Sequence, residues 1–90
     1  MSRYDRRTDA NQNEIVRALE KAGCAVTDMS GAGDGFTDLF VTRARVHYIL
    51  EVKTRLGTLT PAQIVFHAKH PPVHIVRTIE QAYQAVGLIP

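Results

Sequence analysis

Tryptophan is absent, aromatic residues make up only 7% of the chain, and cysteine occurs once, at Cys24. A single thiol excludes an internal disulfide framework and any zinc site built on cysteines, and it fits a reducing compartment. Long apolar runs are missing too. Nothing approaches the ~20 apolar residues of a membrane-spanning helix, and Met1 to Ala10 is polar and charged where a secretory leader would carry an apolar core. These absences point to a cytoplasmic protein with no membrane partner. The chain is also short: 90 residues leave no room for separate catalytic and recognition domains, so residues 1–90 are read as one domain. A chain of this size buries only roughly 60–65% of its unfolded surface, which makes a homodimer attractive. Disorder is excluded, because 44% apolar and 22% charged residues match globular averages.

The net charge of +2 is small, so its distribution has to carry any argument about partners. Residues 1–8 form a basic arm with Arg3, Arg6 and Arg7 against Asp5. Residues 8–42 are acidic, with Asp9, Glu14, Glu20, Asp28, Asp34 and Asp38 against Arg17 and Lys21. From Arg43 to Arg77 the balance reverses: six basic residues face one acid, Glu51. Such a pattern reads either as ordinary solvated charge or as a phosphate-backbone binder. On the second reading, Arg3, Arg6, Arg7, Arg43, Arg55 and Lys69 are the DNA-binding candidates.

Asp9 or Asn11 is placed to cap a first helix running to about Ala22, with Ile15, Leu19 and Ala22 as its buried stripe and Gly23 as its stop. Cys24 to Met29, Thr37 to Thr42 and Val46 to Lys53 read as strands, the last two joined by a tight turn at Ala44-Arg45. Thr60-Pro61 is a strong helix start, and Pro71-Pro72 a stop beyond Lys69. Val73 to Arg77 is a strand, and Thr78 caps a last helix that ends at Gly87. The order α-β-β-β-α-β-α, with a β-α-β crossover between Val46 and Arg77, predicts an α/β fold with a mixed β-sheet flanked by helices.

A turn centred on Ala44-Arg45 places Asp38 directly opposite Glu51. Alternation then puts Asp38, Phe40, Ile49, Glu51 and Lys53 on one face and the apolar Leu39, Val41, Tyr48, Leu50 and Val52 on the other. Two carboxylates facing each other across strands, with Cβ atoms roughly 4.5–5.5 Å apart, repel, so something must neutralise them. A Mg²⁺ ion held by carboxylates, waters and phosphate oxygens would do so. The plainer reading puts Asp38 in a turn and Glu51 in an edge ion pair with Lys53 or Arg43.

Thr37-Asp38-Leu39 followed by Leu50-Glu51-Val52-Lys53, with Glu14 on a preceding helix, resembles the PD-(D/E)xK nuclease superfamily. More narrowly, Ser30-Gly31 leading into Gly35-Phe36-Thr37-Asp38-Leu39, then Glu51-Val52-Lys53 and Leu59-Thr60-Pro61-Ala62-Gln63, resembles the virus-type replication-repair nuclease (VRR-NUC) domain over roughly residues 10–80. Thr37 departs from the proline often found there. The resemblance implies a restriction-endonuclease-like core. It implies metal ligation by Asp38, Glu51 and the Val52 main-chain carbonyl, with Mg²⁺ as cofactor and Mn²⁺ able to substitute. Lys53 would act on the attacking water, and Glu14 and Gln63 would reach the site from their helices. A stand-alone domain of this kind is similar to phage junction resolvases, which implies a homodimeric endonuclease acting on branched DNA such as a Holliday junction, in the host cytoplasm if phage-encoded.

The Gly31-Ala32-Gly33-Asp34-Gly35 segment precedes a strand instead of opening a helix, so no nucleotide or organic cofactor is implied, and a loop beside the site is expected. The four histidines show no zinc spacing, although His67 lies one turn beyond Gln63. Cys24 reads as core. Two readings compete with the nuclease: a non-catalytic nucleic-acid-binding module using the basic 43–77 half, and a small structural protein in which the Asp38–Glu51 pairing is accidental.

Overall fold

The computed structural model describes the backbone of residues 6–33 and 35–90 and the side chains of residues 10–33 and 35–90. The expectations placed on the side chains of Arg3, Arg6 and Arg7 lie outside these residues. Helix α1 spans Arg6–Lys21, so it starts before both residues expected to cap it. Asp9 and Asn11 lie inside the helix, whose first residues Arg6 and Arg7 are good helix formers. Its end is as the sequence predicts. Gly23 has a positive φ of 97°, and the Cys24 and Gly23 amides donate to the Leu19 and Glu20 carbonyls, the paired bonds of a Schellman ending.

The remaining elements are β1 (Ala25–Asp28), β2 (Leu39–Arg43), β3 (Val46–Val52), α2 (Pro61–Lys69), β4 (Val73–Val76) and α3 (Ile79–Ala85). This is the predicted order. The strands form one sheet in the order β1-β2-β3-β4, antiparallel at β1-β2 and β2-β3 and parallel at β3-β4. The parallel pair follows from the α2 crossover, since two parallel strands cannot be joined by a tight turn. At the β2–β3 turn, Ala44 and Arg45 both have positive φ, 53° and 69°, as a two-residue hairpin of the right twist requires, with neither position being glycine.

The core lies on one side of the sheet. Leu39, Val41, Leu50, Val52 and Val76 point to it and meet Ile15 and Leu19 of α1 and Ala82 and Val86 of α3, with Cys24 at its edge. Every aliphatic residue named here is at most 1% exposed. The other face carries Phe40, Ile49, Glu51 and Ile75 and is covered only in part, by α2. None of the nine residues of α2 is buried. Among the described residues, no helix is long and apolar enough to cross a membrane.

Candidate functional site: a buried carboxyl beneath helix α2

The β2–β3 register pairs Leu39 with Leu50 and Arg43 with Val46, so one step further along it sets Asp38 opposite Glu51, as the turn position predicts. Their environments differ. Asp38 is half-buried and its Oδ2 accepts the Val52 amide at 2.9 Å, which extends the ladder by a side-chain bond. Glu51, on the face away from the aliphatic core, is nonetheless only 1% exposed, because α2 crosses above it.

The first turn of α2 explains that cover. Thr60 caps the helix, accepting the Gln63 amide at 3.2 Å, and Gln63 Oε1 accepts the Thr60 amide at 2.9 Å. This capping box is the reciprocal pairing that Thr60-Pro61-Ala62-Gln63 encodes. The box fixes the Gln63 side chain, whose Nε2 donates to Glu51 Oε2 at 3.0 Å while its Oε1 accepts from Lys53 Nζ at 2.9 Å. Lys53 Nζ is 3.6 Å from Glu51 Oε2. One turn further along α2, His67 Nε2 lies 3.7 Å from Glu51 Oε1, and neither atom has a hydrogen-bond partner.

Gly35 and Phe36 close the site from the side. Gly35 has φ 76°, and a Cβ there would land on the Ala62 carbonyl and crowd the Gln63 amide. Only glycine lets the loop pass this close to α2. Phe36, next in the chain, packs edge-on against Phe66 of α2 with ring centroids 4.9 Å apart. From the opposite side, Asn11 Nδ2 of α1 donates to the Lys53 carbonyl at 3.1 Å, and Arg77 Nη1 donates to the carbonyls of Thr54 and Gly57 at 2.6 and 2.8 Å. Helix α2 is therefore held by polar bonds and one aromatic contact in place of an apolar core.

Burial pushes the Glu51 carboxyl up to about 8; the charge of Asp38 acts in the same direction, and Lys53 only partly offsets them. The imidazole of His67 is lowered by burial and by the charge of Lys53. Near pH 7 the cluster thus holds a largely protonated Glu51 and a neutral His67. The mutual repulsion expected for Asp38 and Glu51 is relieved by a proton, in the manner of two carboxyl groups that cannot both ionise at close range.

The side chains gathered here correct the metal expectation. Among the described residues, no group of three or more His, Cys, Asp and Glu side chains is placed to hold a metal ion. Ligation by Asp38, Glu51 and the Val52 carbonyl is not supported: Glu51 is buried and bonded to Gln63, and Asp38 spends an oxygen on the Val52 amide. No family model, curated protein or solved structure matches the chain. The resemblance to PD-(D/E)xK and VRR-NUC nucleases is therefore overturned. The Mg²⁺ or Mn²⁺ cofactor, the metal-dependent endonuclease activity and the resolution of Holliday junctions that rested on it fall as well. The fold stands as a mixed α/β sheet with three helices, and nothing ties it to the restriction-endonuclease-like core.

Of the residues expected to gather, the structure brings together Asp38, Glu51, Lys53 and Gln63. Glu14 is not among them: it is exposed and lines a groove between α1 and α3 with Arg17, Lys21 and Ile79. Arg43 donates to the Val86 carbonyl at the end of α3, while Arg55 and Lys69 are exposed. Two members of the cluster have little signal in the sequence. His67 is legible there only as a residue one turn from Gln63, and Asn11 reads as a cap because nothing local says that a mid-helix amide will meet the end of β3.

Proposed function

We propose that the chain binds nucleic acid through the surface of its basic half, residues 43–77. The observation that carries this reading is the state of Glu51. It is the sole acid in that stretch, and it is buried beneath α2, so the exposed charge of this half is all positive. Arg45, Arg55 and Lys69 are the exposed cations; Arg43 and Arg77 are committed to main-chain carbonyls and act mainly in holding the surface together. Exposed cations with no exposed carboxylate in the same stretch are what a polyphosphate backbone selects.

A second observation favours self-association in addition. Ile64 and Val65 of α2 are 55% and 58% exposed on a helix with no buried residue, so a second copy covering α2 would supply the packing that the monomer lacks.

The test is fluorescence anisotropy with labelled DNA and RNA oligonucleotides across a salt series, with EDTA present so that binding alone is read. Three phosphate contacts predict a log–log salt slope of about −2 to −3. Absence of binding at low salt, or binding that salt does not weaken, refutes the reading. Light scattering after gel filtration reports the dimer.

A further inference from the structure

At the end of the sheet where β4 has not yet begun, the chain forms a hollow of about 330 Å³ lined by Phe40, His47, Tyr48, His70, Pro72 and His74, among others. The hollow exists because β4 starts at Val73, opposite Ile49, so the β4-side edge of Val46–Tyr48 carries no strand. Rings dominate its walls. His47 stacks on Phe40 with centroids 5.2 Å apart and 31° between the planes, His74 faces Tyr48 at 6.3 Å, and His70 packs on Phe66 at 4.6 Å. Phe40 is 39% exposed, and His47, His70 and Pro72 are exposed as well. Among the described residues, no carboxylate lines the hollow. Two exposed cations are chain neighbours of its lining residues, Lys69 next to His70 and Arg45 next to Val46.

We infer that this hollow receives one unpaired nucleobase, stacked on the Phe40–His47 and His70 rings, while Arg45 and Lys69 hold the flanking phosphates. The inference rests on the nucleic-acid reading above and narrows it to strands with unpaired nucleotides. Three features select this occupant. The volume is at the lower end of ligand pockets and suits one planar ring system, not a helix or a strand. The walls offer π-faces, on which any base stacks with little regard to sequence. The acid-free, cationic rim complements a phosphodiester chain and disfavours acidic peptides. In a perfect duplex the bases are already stacked and paired, so occupancy would require extruding one; a single strand or a branch point offers it freely.

The experiment compares anisotropy of three labelled DNAs of equal length, namely a single strand, the same strand with abasic sites and the matching duplex, against wild type, Phe40→Ala and His70→Ala. The expected result is tightest binding of the single strand, with about a 5- to 150-fold loss on the abasic strand, the worth of one stacked base. A loss in the same range is expected for each variant on the single strand, with little change on the duplex. Equal affinity for intact and abasic strands, or variants that bind all three DNAs as wild type does, overturns the hollow while leaving the cationic surface standing. Failure of wild type to bind any of the three overturns both. Phe40 and His70 are exposed, and urea unfolding verifies that the variants fold; should Phe40→Ala not, His70→Ala decides.

Discussion

Replacing Glu51 by glutamine isolates the buried proton. In the folded protein the carboxyl titrates near 8 against an ordinary value of 4.5, so the unfolded chain ionises at lower pH than the folded one. The stabilisation from keeping Glu51 protonated is whole below about pH 4.5 and declines as pH rises through the folded value near 8. A tenfold difference in proton affinity between the folded and unfolded chains is worth about 1.4 kcal/mol, so about 4 to 5 kcal/mol is lost across that window, against a total stability of roughly 5–13 kcal/mol for a domain of this length. Glutamine keeps the shape and accepts from Gln63 through its oxygen, but cannot ionise. His67 contributes with the opposite sign: its neutral form is favoured, so its share is present above about 6.5 and fades as pH falls. Being common to both proteins, it largely cancels in the comparison. Urea unfolding at pH 5, 6, 7 and 8 should show the variant gaining on wild type by about 1 kcal/mol for each pH step above pH 5. Parallel curves for the two proteins would mean that Glu51 ionises normally, and the account of how Asp38 and Glu51 coexist would fail.

Gly35→Ala combines a positive φ with a Cβ placed on the Ala62 carbonyl, and should cost roughly 2 kcal/mol or more in urea unfolding, with faster hydrogen exchange in α2 than in α1. Gln63→Ala removes the cap partner and both bonds to Glu51 and Lys53; a loss of about 2 kcal/mol is expected, whereas Glu14→Ala, exposed and outside the cluster, should change stability by less than about 0.5 kcal/mol. Ala44→Asn relieves a left-handed alanine in the hairpin turn and should raise stability by about 0.5–1 kcal/mol, seen as a higher melting temperature. Arg55→Ala and Lys69→Ala should each flatten the log–log salt slope of nucleic-acid binding by about 1, and Arg43→Ala should act mainly through lost stability.

Local signals carry most of the architecture. The Ala44-Arg45 turn between two alternating strands is enough to set the β2–β3 register, because a one-residue slip would expose Leu39, Val41, Leu50 and Val52 together. Thr60-Pro61 with Gln63 and Thr78 with Gln81 encode helix starts through bonds made within a few residues, and Gly23 encodes an ending in the same way. The same alternation places Asp38, Glu51 and Lys53 on one face. What it does not supply is the ionisation of Glu51, which depends on α2 lying over β3 and removing water from a carboxyl already beside Asp38. A charged pattern on a strand looks the same whether a metal, a proton or solvent balances it, so the nuclease resemblance has nothing local to correct it. Tertiary packing likewise decides that Arg43 and Arg77 are spent on carbonyls, that Asn11 reaches Lys53 and does not cap its own helix, and that Glu14 faces another groove. The sequence determined the elements and their faces, since these rest on periodicities of two and 3.6 residues; the fold alone determined what covers each face, and with it which charges survive at the surface.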